Sequence, residues 1–80
     1  MTKSVFTENY NMFLKLLVFA RKQAGLTQKQ VADKLRKNQS YISKYENGER
    51  RLDVIEFVDV AKAIGANPIK IFDELVSGWR

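Results

Sequence analysis

An all-α fold of short helices is predicted on three observations. Apolar residues recur at spacings of three and four along most of the 80-residue chain. Two stretches, Thr27–Gln30 and Asp53–Glu56, place a capping residue three positions before Gln or Glu, the pattern of a capping box. Glycines stand just past several of the apolar runs, where helices commonly stop. No stretch reads convincingly as a strand, and no repeat, low-complexity tract or long linker divides the chain, so it reads as one domain. The core is expected over about residues 9–76, with tails at 1–8 and 77–80.

The first helix is expected from about Asn9 to Ala24, after a loose start. Tyr10, Phe13, Leu14, Leu17, Ala20 and Ala24 share one face, with Arg21 on its flank, and Gly25 stops the helix. Leu16, Val18 and Phe19 fall outside that stripe. They form either a wide apolar face under a terminal segment or a subunit contact.

Thr27, boxed with Gln30, caps a second helix that turns Val31, Ala32 and Leu35 inward. Arg36-Lys37 links it to a third. Asn38 caps that helix, Ile42 and Tyr45 anchor it, and Asn47-Gly48 closes it. Its first turn carries Asn38, Gln39 and Ser40, side chains made for hydrogen bonding rather than packing. Asp53 opens a fourth helix, with Phe57, Val58, Ala61 and Ile64 inward and Gly65 as its stop. Asn67-Pro68 opens a fifth, a favoured cap followed by a residue suited to the first helical position. Ile71, Phe72 and Leu75 are expected to pack inward there.

Charge narrows the function. The chain carries +5 overall. Residues 28–51 hold seven Lys and Arg against three acids, whereas residues 52–80 hold three against five. The positive charge therefore surrounds the third helix, and a basic region of this kind attracts polyanions, nucleic acid first. With no His and no Cys, the chain lacks the commonest general base, a thiol nucleophile and a disulfide framework. Asp53, Asp59, Asp73 and Glu74 match no hard-cation loop and read as caps and solvated faces. No paired carboxylates in a recognisable cleft and no Gly-rich phosphate loop appear. The expectation is no enzyme, no cofactor and no metal. No apolar run approaches the roughly 20 residues of a membrane span.

Two short helices joined by a tight turn, Thr27–Leu35 and Asn38–Asn47, have the spacing of a helix-turn-helix. In that unit the second helix enters the DNA major groove and the first crosses the phosphate backbone. The residue types suit those places. Gln and Asn bond bidentately to adenine, Lys bonds guanine, and Ser bonds either partner. Gln28, just after its cap, has either a phosphate contact or ordinary solvation as its role. Tyr41 either stacks on the sugar-phosphate backbone or packs over the turn.

GLTQKQVADKL followed by NQSYISKYENGERR resembles the Cro/lambda-repressor-like, or XRE, helix-turn-helix family. The likeness spans about Leu17 to Leu75. It implies a compact, five-helix, lambda-repressor-like DNA-binding domain with the reading unit at helices two and three. It implies base or groove contacts from Asn38, Gln39, Ser40 and Lys44, and phosphate contacts from Gln28 and Asn47. With Thr27, Lys37, Tyr41, Arg50 and Arg51, these last two make up the expected backbone-contacting set. It also implies that Arg21 pairs with Glu46.

The chain departs from the family pattern in three places. Arg36 stands where glycine is usual, Lys37 where an apolar residue is common, and Val18-Phe19 where helix one is usually polar. The resemblance implies a cytoplasmic, nucleoid-associated regulator of prokaryotic or phage type. Its expected form is a repressor that binds double-stranded DNA as a homodimer on a two-fold symmetric operator. Candidate dimer contacts are the surplus apolar residues Phe19, Ile55, Ile69 and Trp79. The second reading is a protein-interaction module or antitoxin that acts mainly through a protein partner, a toxin or another regulator.

Overall fold

The computed structural model describes residues 4–80, with side chains from residue 8 onward. Five helices follow one another: α1 (Ser4–Gln23), α2 (Gln28–Leu35), α3 (Gln39–Glu46), α4 (Val54–Ile64) and α5 (Pro68–Ser77). The loose start expected over residues 1–8 is corrected from Ser4 onward, where α1 is already helical. In the sequence, Phe6 continues the apolar spacing one turn upstream of Tyr10, a signal the shorter reading passed over. Residues 1–3 lie outside the described residues.

Both capping boxes are formed. The Thr27 hydroxyl accepts from the Gln30 N–H at 3.1 Å, and the Gln30 side chain accepts from the Thr27 N–H at 2.9 Å. Asp53 and Glu56 make the same reciprocal pair at 2.7 and 3.0 Å. Asn67 caps α5 by accepting from the Ile69 N–H at 2.9 Å. Asn38 differs. It holds the extended backbone of a cap, but its side chain makes no capping bond. The expected Asn38 cap is therefore corrected to a backbone role, and its amide stays exposed at the start of α3.

α2 ends in a Schellman arrangement, in which the Lys37 N–H bonds the Ala32 carbonyl at 2.9 Å and the Arg36 N–H that of Asp33 at 3.1 Å. This closure needs a left-handed residue. α1 and α4 supply Gly25 and Gly65, but α2 supplies Arg36 at φ 57°, the one non-glycine with positive φ among the described residues. A side chain there costs about 1–2 kcal/mol. Arg36→Gly is expected to raise stability by about 1 kcal/mol net, once the greater freedom of glycine in the unfolded chain is counted. Thermal melting checks it: the midpoint should rise by roughly 4–8 °C for a domain of this size.

The core is assembled from Leu14 and Leu17 of α1, Val31 and Ala32 of α2, Ile42 and Tyr45 of α3, Phe57, Val60, Ala61 and Ile64 of α4, and Ile71 of α5. Three expectations are corrected. Ala24 is exposed, being past the last turn of α1. Val60 is fully buried and Val58 only partly, because the inward stripe of α4 runs 57–60–61–64. Phe72 is 58% exposed, because Ile71 and the half-buried Leu75 take the inward positions of α5.

Tyr45 is wholly buried, and its hydroxyl has no hydrogen-bond partner among the described residues. Burial, with the Glu46 carboxylate nearby, pushes this phenol well above its usual range, so it stays neutral. An unpartnered buried hydroxyl is destabilising. Tyr45→Phe keeps the ring and removes that group. It is expected to stabilise the fold by about 1 kcal/mol, read from denaturant midpoints at unchanged slope.

Candidate nucleic-acid interface

α2 and α3 pack against each other, and α1 and α4 support them from behind. The polar edge of α3 is left outward: Asn38, Gln39, Ser40 and Lys44 are all exposed, while Ile42 and Tyr45 hold the opposite side in the core. The four residues expected to read bases are thus all accessible, Asn38 just before an anchored helix and the other three on it.

A buried ion pair fixes the angle of that helix. Arg21 Nε and Nη2 donate to the two Glu46 carboxylate oxygens at 2.7 and 3.1 Å, and Nη1 donates to the Leu26 carbonyl at 2.9 Å. The side chains are 11% and 6% exposed. Bidentate geometry with further hydrogen bonds is the form in which a buried pair offsets its desolvation. Glu46 ends α3, Arg21 lies in the last turns of α1, and Leu26 precedes α2, so the cluster ties three helices together.

The cluster extends to the reading edge. The Gln28 amide nitrogen donates to Glu46 Oε1 at 2.8 Å, and Gln28 Oε1 accepts from Gln39 Nε2 at 3.3 Å. Gln28 is therefore a strut that orients Gln39, beyond the roles weighed from sequence. Thr27 Oγ1 is engaged in its capping box. Asn47 is exposed at the far end of α3, with its amide nitrogen 3.5 Å from the Ser43 hydroxyl.

The loop after α3 makes a second cluster. Tyr41 is half-buried, with the Lys37 ammonium 5.1 Å and the Arg50 guanidinium 4.6 Å from its ring centre. Both lie within cation–π range. Tyr41 also meets Tyr45 edge-on at 6.0 Å, so it packs over the turn with its ring among cations. Burial, then the Glu56 charge, raises the Tyr41 phenol above its ordinary value. Arg50 is engaged by an acid: its Nη2 and Nη1 donate to Glu56 at 2.7 and 3.3 Å. That pairing, followed by the Asp53 N–H, holds the Glu56 carboxyl below its usual range. Arg51 stacks 4.2 Å from the Tyr10 ring centre, and the Tyr10 hydroxyl accepts from the Leu52 N–H at 3.0 Å. Tyr10 thereby fastens this loop to α1.

The expected dimer contacts do not form one patch by sequence position. Phe19 is 63% exposed on α1, Ile55 is exposed on α4, and Ile69 and Trp79 are exposed on α5 and the tail that follows it. Among the described residues, no group of acids is placed to hold a metal ion and no helix is long and apolar enough to cross a membrane.

Residues 19–71 match the family model described as Helix-turn-helix. Among solved structures, the chain is similar to an XRE-family like protein from Pseudomonas syringae pv. tomato str. DC3000. The two are 46% identical with a TM-score of 0.90, over 95% of this chain and 93% of that one. It also shares its fold with the clp gene regulator ClgR from C. glutamicum, at 21% identity and a TM-score of 0.78, over 90% and 94% of the two chains. No curated protein matches the sequence. With the helix-turn-helix model covering α2, α3 and α4, and with the close likeness to an XRE-family protein over nearly the whole length of both, this chain belongs to the XRE family of helix-turn-helix proteins.

Proposed function

We propose that this protein is a sequence-specific DNA-binding transcriptional regulator, a repressor that binds a two-fold symmetric operator as a homodimer. The observation that carries the reading is the exposed polar edge Asn38, Gln39, Ser40 and Lys44 on a helix whose other side is buried and whose end is tied by Arg21–Glu46. A rigid helix with hydrogen-bonding groups in its first turn meets the geometric demand of major-groove readout. Lys37, Tyr41, Asn47 and Arg51 surround that edge in sequence, and with Thr27 and Gln28 they are the proposed set for contact with the backbone, which positions without specifying; Arg50 lies among them but is held by Glu56. A single module of this size makes a limited interface with DNA, which favours two copies on half-sites about 34 Å apart. The protein belongs in the cytoplasm, at the nucleoid, under this reading.

The second reading, an interaction module or antitoxin acting through a protein partner, draws support from the exposed Phe19 on α1. A stoichiometric protein partner captured with no DNA affinity is the result that favours it.

In vitro selection of bound duplexes, followed by gel shifts at two salt concentrations, tests the main reading. Equal affinity for all sequences refutes it. Gln39→Ala is expected to relax preference at one base position, at a cost of about 1–3 kcal/mol on the selected site. Arg51→Ala is expected to weaken all sequences alike. Competition gel shifts against single-base operator variants separate the two.

A further inference from the structure

Residues 47–53 connect α3 to α4. The backbone N–H groups of Asn47, Gly48, Glu49 and Arg50 all return to carbonyls of α3, and that of Asp53 is taken by the capping box of α4. Between these two ends lie Arg51 and Leu52. The peptide unit that joins them is held by side chains, on both of its polar groups. Its carbonyl accepts from Arg50 Nη1 at 3.2 Å, and its N–H donates to the Tyr10 hydroxyl at 3.0 Å.

Tyr10 holds the Arg51 side chain as well as its backbone. The guanidinium carbon stands 4.2 Å from the centre of the Tyr10 ring. That ring is itself backed. Tyr10 meets Phe13 at 5.5 Å between ring centres, and Phe13 meets the buried Phe57 edge-on at 5.3 Å. A row of three rings therefore runs from the core to an exposed arginine. Stacking engages the face of a guanidinium, whereas a phosphate is bound by the N–H groups along its edge, so one arginine can do both at once. A long side chain already ordered in the free protein also loses less freedom when it meets its ligand.

We propose that Tyr10 is a positioning residue for DNA binding, which sets Arg51 for contact with a phosphate through its ring and, at the same time, through the Leu52 N–H. The inference rests on the proposed DNA-binding regulator and deepens it. Tyr10 lies on α1, outside the helix-turn-helix unit and outside the residues 19–71 that match the family model. It touches no base or phosphate in this role and acts through Arg51 alone. Its loss therefore weakens every sequence alike and leaves base preference where it was.

A double-mutant cycle on the full chain tests this, read by filter binding to a selected operator and to an unrelated duplex, at low salt and well below the melting temperature. Freeing a rotamer-rich side chain costs roughly threefold in affinity at each contact, and two copies compound it. Tyr10→Leu is expected to weaken both duplexes by about tenfold. Tyr10→Phe keeps the ring and loses only the bond to Leu52, so its loss should be about threefold. In the Arg51→Ala background, Tyr10→Leu should cause no further loss. Arg51→Ala should also flatten the plot of log affinity against log salt by about 2, whereas Tyr10→Leu should leave that slope alone, because the charge is still present. Equal losses from Tyr10→Leu in both backgrounds overturn the proposal, since they are what a merely structural role produces. Unchanged or tighter binding by Tyr10→Leu overturns it too, as the ring would then be idle or would hold Arg51 back. Base-selective binding that is indifferent to Tyr10 refutes this role and leaves the regulator reading standing. Coupled losses at Tyr10 and Arg51 in a protein with no base preference do the reverse.

Discussion

Replacing Glu46 with Ala is expected to cost about 3–5 kcal/mol, because it leaves the Arg21 guanidinium buried without its partner. That is a large share of the total stability of such a domain, about 4–12 kcal/mol at typical values per residue. Chemical denaturation should show the midpoint falling steeply. Arg21→Ala should be similarly harmful, since Glu46 would keep only the Gln28 amide as a hydrogen-bond partner. The double replacement Arg21→Met with Glu46→Leu should recover most of the loss, because a buried pair replaced by apolar side chains of similar volume is often neutral or better. Recovery of stability without recovery of base preference is the informative outcome. Glu46 also holds Gln28, and Gln28 meets Gln39, so removing the carboxylate slackens the reading edge even when the fold survives. If the double variant kept full selectivity, the strut through Gln28 would have no part in readout.

Local chemistry explains why the helices were legible in the sequence. The capping boxes at Thr27 and Asp53 act over three residues, and the stop at Gly65 over one turn of helix, so each is written in adjacent letters. The anchoring of α3 by Ile42 and Tyr45 was equally visible, because their spacing puts them on one face of any helix. α5 was harder. Pro68, Ile69, Ile71, Phe72, Leu75 and Val76 are all apolar, and periodicity cannot tell which side of such a helix meets the core. Only the placement of α1 and α4 against it decides that Ile71 goes in and Phe72 stays out. The network Arg21–Glu46–Gln28–Gln39 was legible only in its first pair, through the family resemblance. Gln28 and Glu46 are 18 residues apart, and no local rule pairs them.

The same limit applies to Arg50, and it changes the expected salt dependence of DNA binding. Sequence position groups Arg50 with the phosphate-contacting residues, yet its guanidinium makes a bidentate pair with Glu56. Lys37 and Arg51 then remain as the charged backbone contacts proposed for each copy. For a dimer that amounts to about four phosphates neutralised. The plot of log affinity against log salt should have a slope near about −4, and affinity should fall roughly a hundredfold between about 50 and 200 mM salt. Were Arg50 to contribute as well, the slope would approach about −5. Glu56→Gln distinguishes the two cases. Glutamine can still complete the capping box with Asp53, so α4 keeps its start. The neutral side chain no longer holds Arg50 as an ion pair, and the guanidinium is released toward the phosphates. The variant is therefore expected to bind all DNA sequences more tightly at low salt, with the slope steeper by about 2 and base preference unchanged. Filter binding across a salt series measures this. An unchanged slope would mean that Arg50 already contacts phosphate in the wild-type complex, or that it never comes within reach. Arg50→Ala then separates those cases, flattening the slope in the first and leaving it alone in the second.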